Sequence, residues 1–202
     1  MKVPLFTFAT FVTAAPTAKL ASVAKLKQNL EQGYDVRLDF YKRLREFIPK
    51  NHSEGGAKGD LDRFVDEATE KKHDTFAARA DAYQGWWGSQ NVKWVGGKAT
   101  TWAAGGVDVN VNPELFVSVD GVRHVIKLYF NATERLTTDR CNVVLRLMEL
   151  AFRGGASPDG RPAPAVLDLT QSQFHTPATS LAYLDPVLSG EAASFSTIWK
   201  AI

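Results

Sequence analysis

Apolar residues recur along this chain with two periods. From Pro16 to Gly33 they follow helical spacing, with Leu20, Val23, Leu26 and Leu30 about one turn apart, Pro16 in the first turn and Gly33 as the stop. A second helix is expected from about Asp35, carrying Leu38, Tyr41, Leu44 and Ile48 and ending at Pro49. The polar, Gly-rich stretch 51–59 reads as an exposed loop. A third helix is expected from Asp60 to about Tyr83, with Leu61, Phe64, Val65 and Ala68 in its stripe. Beyond Trp86 the chain turns Gly-, Val- and aromatic-rich. Segments 92–97, 99–112, 114–121 and 122–130 read as strands joined by glycine turns. Thr137, Thr138 and Asp139 form an N-cap cluster for a helix with Val143, Val144, Leu147, Leu150 and Ala151 on its buried side. Gly154 and Gly155 stop it. Residues 165–169, AVLDL, read as a short apolar strand, and the C-terminal segment as one or two short helices.

This order predicts an α+β fold in one domain, 1–202, with a helical part at 1–85 and a sheet-containing part at 86–202. N-terminal helices precede an antiparallel meander of three to four strands. A helix and a further strand in a mixed sheet come after it. The first 22 residues combine one lysine, an apolar run and small residues near Ala14, as a leader does. Pro4, Thr7, Thr10 and Thr13 interrupt that run, so a short buried strand or packed arm is the preferred reading.

Composition narrows the function classes little. The formal net charge of +2 is too small to imply nucleic acid by itself. The lone Cys141 excludes an intrachain disulfide and a cysteine zinc cluster, which points to a reducing, cytoplasmic setting. His52, His73, His124 and His175 have no metal-ligand spacing, and no stretch is long and apolar enough to suggest a membrane partner. Residues 19–50 are basic and 51–82 acidic, which fits two elements that attract each other.

The hairpin 113–130, PELFVSVDGVRHVIKLYF, carries the most specific information. Asp120-Gly121 is a two-residue turn signal, so 119 faces 122 and this sets the register. Glu114 then lies opposite Lys127, Phe116 opposite Val125 and Ser118 opposite Arg123, all on one face. The other face collects Leu115, Val117, Val119, Val122, His124, Ile126, Leu128 and Phe130 as core. If the preceding segment neighbours the hairpin, Asp108 shares the polar face with Glu114 and Lys127. Two acids and a lysine on one sheet face can hold a divalent cation and stabilise developing negative charge. The plainer reading is an ion pair worth roughly 0.2–1 kcal/mol at the surface. Val125, Tyr129 and Phe116 are large and apolar around the lysine, so Lys127 is expected to be at least half buried and paired.

Helix, three antiparallel strands, helix and strand, with Val125-Ile126-Lys127 on the third strand before a helix, resembles the PD-(D/E)XK nuclease-like fold over residues 92–170. The resemblance implies that Lys127 stands for the family lysine and Glu114 or Asp108 for its first acid. The second acid is absent because position 125 is valine. Glu149 on the following helix is the one candidate for a migrated carboxylate. With that acid missing, the resemblance implies a non-catalytic binding protein without cofactor, its partner nucleic acid or another protein. The alternatives are a nuclease or phosphoesterase with Asp108, Glu114 and Lys127 as catalytic residues and Mg2+ or Mn2+ on Asp108 and Glu114, or a plain protein-interaction module.

Tyr83, Trp86, Trp87, Trp94 and Trp102 cluster in sequence. With Lys93 and Lys98 beside it, Trp94 is a candidate for stacking on nucleic acid. The alternative is an apolar plug between the helical and sheet parts. No phosphate loop and no nucleophile elbow is present. Cys141 reads as a small buried hydrophobe.

Overall fold

A computed structural model describes residues 1–33, 40–153 and 160–202. It is α+β, with seven α-helices and two mixed sheets, of three and five strands, among the described residues. The N-terminal segment is both strand and helix. β1 (Lys2–Pro4) pairs in parallel with β4 (Val107–Val111), and α1 (Leu5–Thr13) buries Leu5, Phe8, Ala9 and Phe11. α2 (Pro16–Gln32) starts at proline and stops at Gly33, whose φ is +78°. Its buried stripe is narrower than expected. Val23 and Leu26 face inward, whereas Leu20 and Leu30 are exposed.

α3 (Lys42–Ser53) differs from expectation at its far end. The expected start at Asp35 and Leu38 lies outside the described residues. Pro49 sits inside the helix instead of ending it. An interior proline loses one backbone hydrogen bond and crowds the preceding turn, at a cost of about 3 kcal/mol. The turn beyond it is anchored by burial: Asn51 Nδ2 donates to the Ala57 carbonyl at 3.1 Å, and His52 Nε2 bonds the Tyr83 hydroxyl at 2.5 Å. The expected helix from Asp60 to Tyr83 is two helices, α4 (Asp60–Asp66) and α5 (Glu70–Trp87). Between them Thr69 is extended, and its carbonyl accepts the first bonds of α5 from Lys72 and His73.

The sheets correct one part of the expected meander. The segment 99–112 is not one strand but a hairpin, β3 (Thr100–Ala104) and β4, turning at Gly105 and Gly106, whose φ values are +56° and +82°. With β1 it forms the three-stranded sheet, in the order β1-β4-β3. The five-stranded sheet runs β2 (Val92–Trp94), β5 (Leu115–Val119), β6 (Val122–Tyr129), β7 (Ala163–Asp168), β8 (Gln173–His175). The expected hairpin register is present, with Phe116 opposite Val125, Ser118 opposite Arg123 and Val119 opposite Val122. α6 (Thr138–Ala151) carries the chain across, and β7 joins β6 in parallel. A 3₁₀ turn at Ala182–Leu184 leads into α7 (Asp185–Ala201).

Two apolar cores flank the five-stranded sheet. One joins Val125, Tyr129 and Val166 to α1, α6, α7 and the valines of β4. The other joins Leu115, Val117, Ile126, Leu128, Ala165 and Leu167 to α3, α4 and α5. A strand covered on both faces reads as a continuous apolar run, which is why VIKLYF is interrupted by a single lysine. Val122, expected in the core, is 55% exposed at the hairpin tip, beyond the covering helices. The tryptophan-rich plug divides: Tyr83, Trp86, Trp87 and Trp94 pack in the α3–α5 core, and Trp102 packs in the other. No helix among the described residues is long and apolar enough to cross a membrane.

Candidate functional site

Lys127 and Glu114 meet where the hairpin register puts them. Nζ lies 2.6 Å from Glu114 Oε1, and the two side chains are only 9% and 8% exposed. The ammonium also donates to the Asn112 carbonyl at 2.8 Å, with Asn112 Oδ1 further off at 3.5 Å. Glu114 Oε2 accepts the Leu128 backbone N–H at 2.8 Å. Each charge thus has an opposite charge and a backbone partner, which a buried ion pair needs in order to persist. The pair is no solvated surface bridge.

The other acids proposed for this site are elsewhere. Asp108 lies in the three-stranded sheet, where its Oδ2 faces the Met1 ammonium at 3.4 Å and its N–H donates to the Met1 carbonyl at 2.7 Å. The condition that brought it beside the hairpin is not met, because β4 pairs with β1 and β3. Val125 is buried in the core. Glu149 accepts from Arg146 Nη1 at 2.6 Å, and Arg146 also grips Asp185 through Nε and Nη2, both at 2.6 Å. Glu149 is thus held within α6 by Arg146, and it is Asp185 that ties α6 to α7. The divalent cation of the nuclease resemblance therefore finds no matching donor set: one acid is in another sheet, one position is valine, and both oxygens of Glu114 are engaged. Among the described residues no three His, Cys, Asp or Glu gather as a cation site.

The nucleic-acid candidates also separate. Lys93 is exposed on the edge strand β2, while its neighbour Trp94 packs half-buried against the α3–α5 core. Lys98 lies on a different groove, with Phe116, Arg123 and Phe152.

What the ion pair does adjoin is a cleft of about 840 Å³ at the carboxyl end of β6. Open sheets bind ligands outside the carboxyl ends of their parallel strands, and β6 is the strand that meets β7 in parallel. Lys127 and Glu114 line it together with Lys25 from α2, Arg45 from α3 and Arg140 from α6. Rings enter from both faces of the sheet: Phe6 lies 5.1 Å from Tyr129, and Tyr41 stacks on Phe130 at 5.2 Å. Tyr129 donates its hydroxyl proton to the Glu134 carbonyl at 2.6 Å, and Arg140 Nη2 pairs with the Glu134 carboxylate at 2.6 Å. Burial, then the Glu134 charge, pushes the Tyr129 phenol above its ordinary range. Sequence reasoning missed Lys25, Arg45 and Arg140. No motif links residues so far apart in the chain.

Two titratable groups outside the cleft are silenced by burial. The Cys141 thiol is pushed up to about 12, so the small-hydrophobe reading holds. His52 is lowered to about 4 and stays neutral against Tyr83 and Trp87. His124 stands at the rim of the sheet, its Nδ1 2.9 Å from the Val122 carbonyl oxygen. Protein-family models, curated proteins and solved structures give no match to this chain.

Proposed function

We propose that this chain is a non-catalytic, cytoplasmic binding protein on a nuclease-like scaffold. It binds nucleic acid, without a cofactor, at the cleft at the carboxyl end of β6. The observation that carries this reading is the charge-compensated Lys127–Glu114 pair, buried yet bordering a cleft that is lined by further cations and by aromatic rings. A buried lysine with its carboxylate partner is what the nuclease resemblance requires of this strand. Val125, where that resemblance would place the second metal-binding acid, supports binding without cleavage. The single cysteine supports the cytoplasmic setting.

The test is titration of the protein with single-stranded and duplex oligonucleotides, followed by incubation with Mg2+ or Mn2+. Saturable binding of uncleaved nucleic acid is expected. Metal-dependent cleavage that disappears in Lys127→Ala, with the variant still folded, would replace this reading with that of a working nuclease. Absence of any nucleic-acid binding would remove the reading altogether.

A further inference from the structure

We propose that β3 is a docking edge for a second copy of this chain. β3 of one copy pairs antiparallel with β3 of the other about a two-fold axis at Trp102, and the two three-stranded sheets become one continuous sheet. This association is independent of what the cleft binds.

A sheet edge exposes unpaired main-chain groups, and folds blunt such edges with short strands, lysine or proline. Among the described residues the edge strands are β1 and β3 of one sheet, β2 and β8 of the other. β1, β2 and β8 are blunted, each being only three residues long. β1 also carries Lys2 and Pro4, and a copy of β2 paired about its centre would set Lys93 against Lys93. β3 has none of these devices. Its five residues, Thr100-Thr101-Trp102-Ala103-Ala104, hold no charge and no proline.

The hydrogen-bond phase of β3 matches its own copy. Asp108 donates its N–H to the Met1 carbonyl at 2.7 Å, so Asp108 and Asn110 of β4 address β1, whereas Val107, Val109 and Val111 address β3. Their partners Ala104, Trp102 and Thr100 are therefore the residues of β3 that bond to β4. The N–H and C=O groups of Thr101 and Ala103 point the other way. Both residues are exposed, and these groups have no hydrogen bond to another described residue. Pairing about Trp102 sets Thr101 of one copy opposite Ala103 of the other, on both sides of the axis. Each such pair exchanges two N–H···O bonds, so every outward group is used.

The centre of the strand favours a copy over an unrelated strand. Trp102 falls at a pair without hydrogen bonds, where opposite side chains approach most closely. It is half-buried, with its ring 5.8 Å from that of Phe8. The second Trp102 covers part of what remains open, and aromatic cross-strand pairs stabilise sheets. On the solvent face Thr101 meets Ala103, so no like charges oppose each other.

The experiment is sedimentation equilibrium of the full chain over a concentration series from micromolar to millimolar. The average mass is expected to rise toward that of a dimer. Thr101→Lys with Ala103→Lys sets lysine opposite lysine at both pairs and is expected to weaken association about tenfold. Thr101→Glu with Ala103→Lys sets glutamate opposite lysine instead and is expected to restore it. Thermal unfolding shows that both double variants keep the fold. In the unaltered chain, exchange of the Thr101 and Ala103 amide protons is expected to slow as concentration rises, while the Trp94 amide on β2 is unaffected. A chain that stays monomeric at every concentration overturns the proposal and leaves this edge to a strand of another protein. A dimer indifferent to the lysine pair, or one that the glutamate–lysine variant fails to restore, overturns it as well, as does amide exchange at Thr101 and Ala103 that ignores concentration.

Discussion

At the scale of single residues, the Lys127–Glu114 pair is held by compensation. Each charge is stable in the interior only because the other is there, with Asn112 and the Leu128 N–H taking up part of the remaining hydrogen-bonding capacity. Lys127→Met leaves a buried carboxylate without its counter-charge and is expected to cost about 3–5 kcal/mol in chemical denaturation. Adding Glu114→Gln removes that charge, keeps an acceptor for Leu128 N–H, and is expected to recover much of the loss. Equal stability of the single and double variants would show that the pair is not coupled. His52 offers a different single-residue test. Its folded value, about 4, lies below the unfolded 6.5, so the unfolded chain takes up the proton first. Its contribution is fully present above pH 6.5 and is lost as pH falls toward 4, with a slope approaching about 1.4 kcal/mol per pH unit. His52→Gln is expected to flatten that stretch of the stability–pH curve, and an unaltered slope would assign the acid sensitivity elsewhere. The ion pair is legible in the sequence because Asp120-Gly121 sets the register. His52 is not, because its partner Tyr83 is supplied by another helix.

At the scale of elements, the legible part is the part that depends on neighbours along the chain. The β5–β6 hairpin, α2 with its proline start and glycine stop, and α6 with its threonine cap all announce themselves locally. Thr137 Oγ1 does accept the Arg140 N–H, at 3.3 Å. The misses are places where tertiary packing overrides local preference. Pro49 stays in α3 because the turn beyond it buries Asn51 and His52. The break between α4 and α5 carries neither glycine nor proline, so the stripe reads as uninterrupted. Gly105-Gly106 is a visible turn signal. A Cβ at Gly105 would come 2.5 Å from the Ala193 nitrogen, so glycine lets the β3–β4 turn touch α7. The N-terminal arm, α1, is as much a core element as the central strand. Phe8→Ala is expected to cost about 3–5 kcal/mol and Ile126→Ala about 2–5 kcal/mol, one in each core. A loss under about 1 kcal/mol for Phe8→Ala in urea denaturation would mean that α1 is only laid onto the fold.

At the scale of the whole molecule, the five-stranded sheet is a wall shared by two cores, and the cleft opens at one end of it. That placement explains why the site's outer cations are invisible in sequence. Lys25, Arg45 and Arg140 become neighbours only once α2, α3 and α6 have packed around the end of β6. The shared wall also gives the buried lysine a role during folding. Because β6 alternates strictly between the two cores, a slip of one residue against β5 would exchange the faces of every side chain on the strand. Lys127 would then swing away from Glu114 and into the apolar space among Leu44, Ile48 and Phe76. An all-apolar strand would tolerate such a shift at little cost, since both sides are greasy. The lysine thus acts as an indexing pin: it makes the out-of-register sheet far costlier than the native one, independently of whatever the cleft binds.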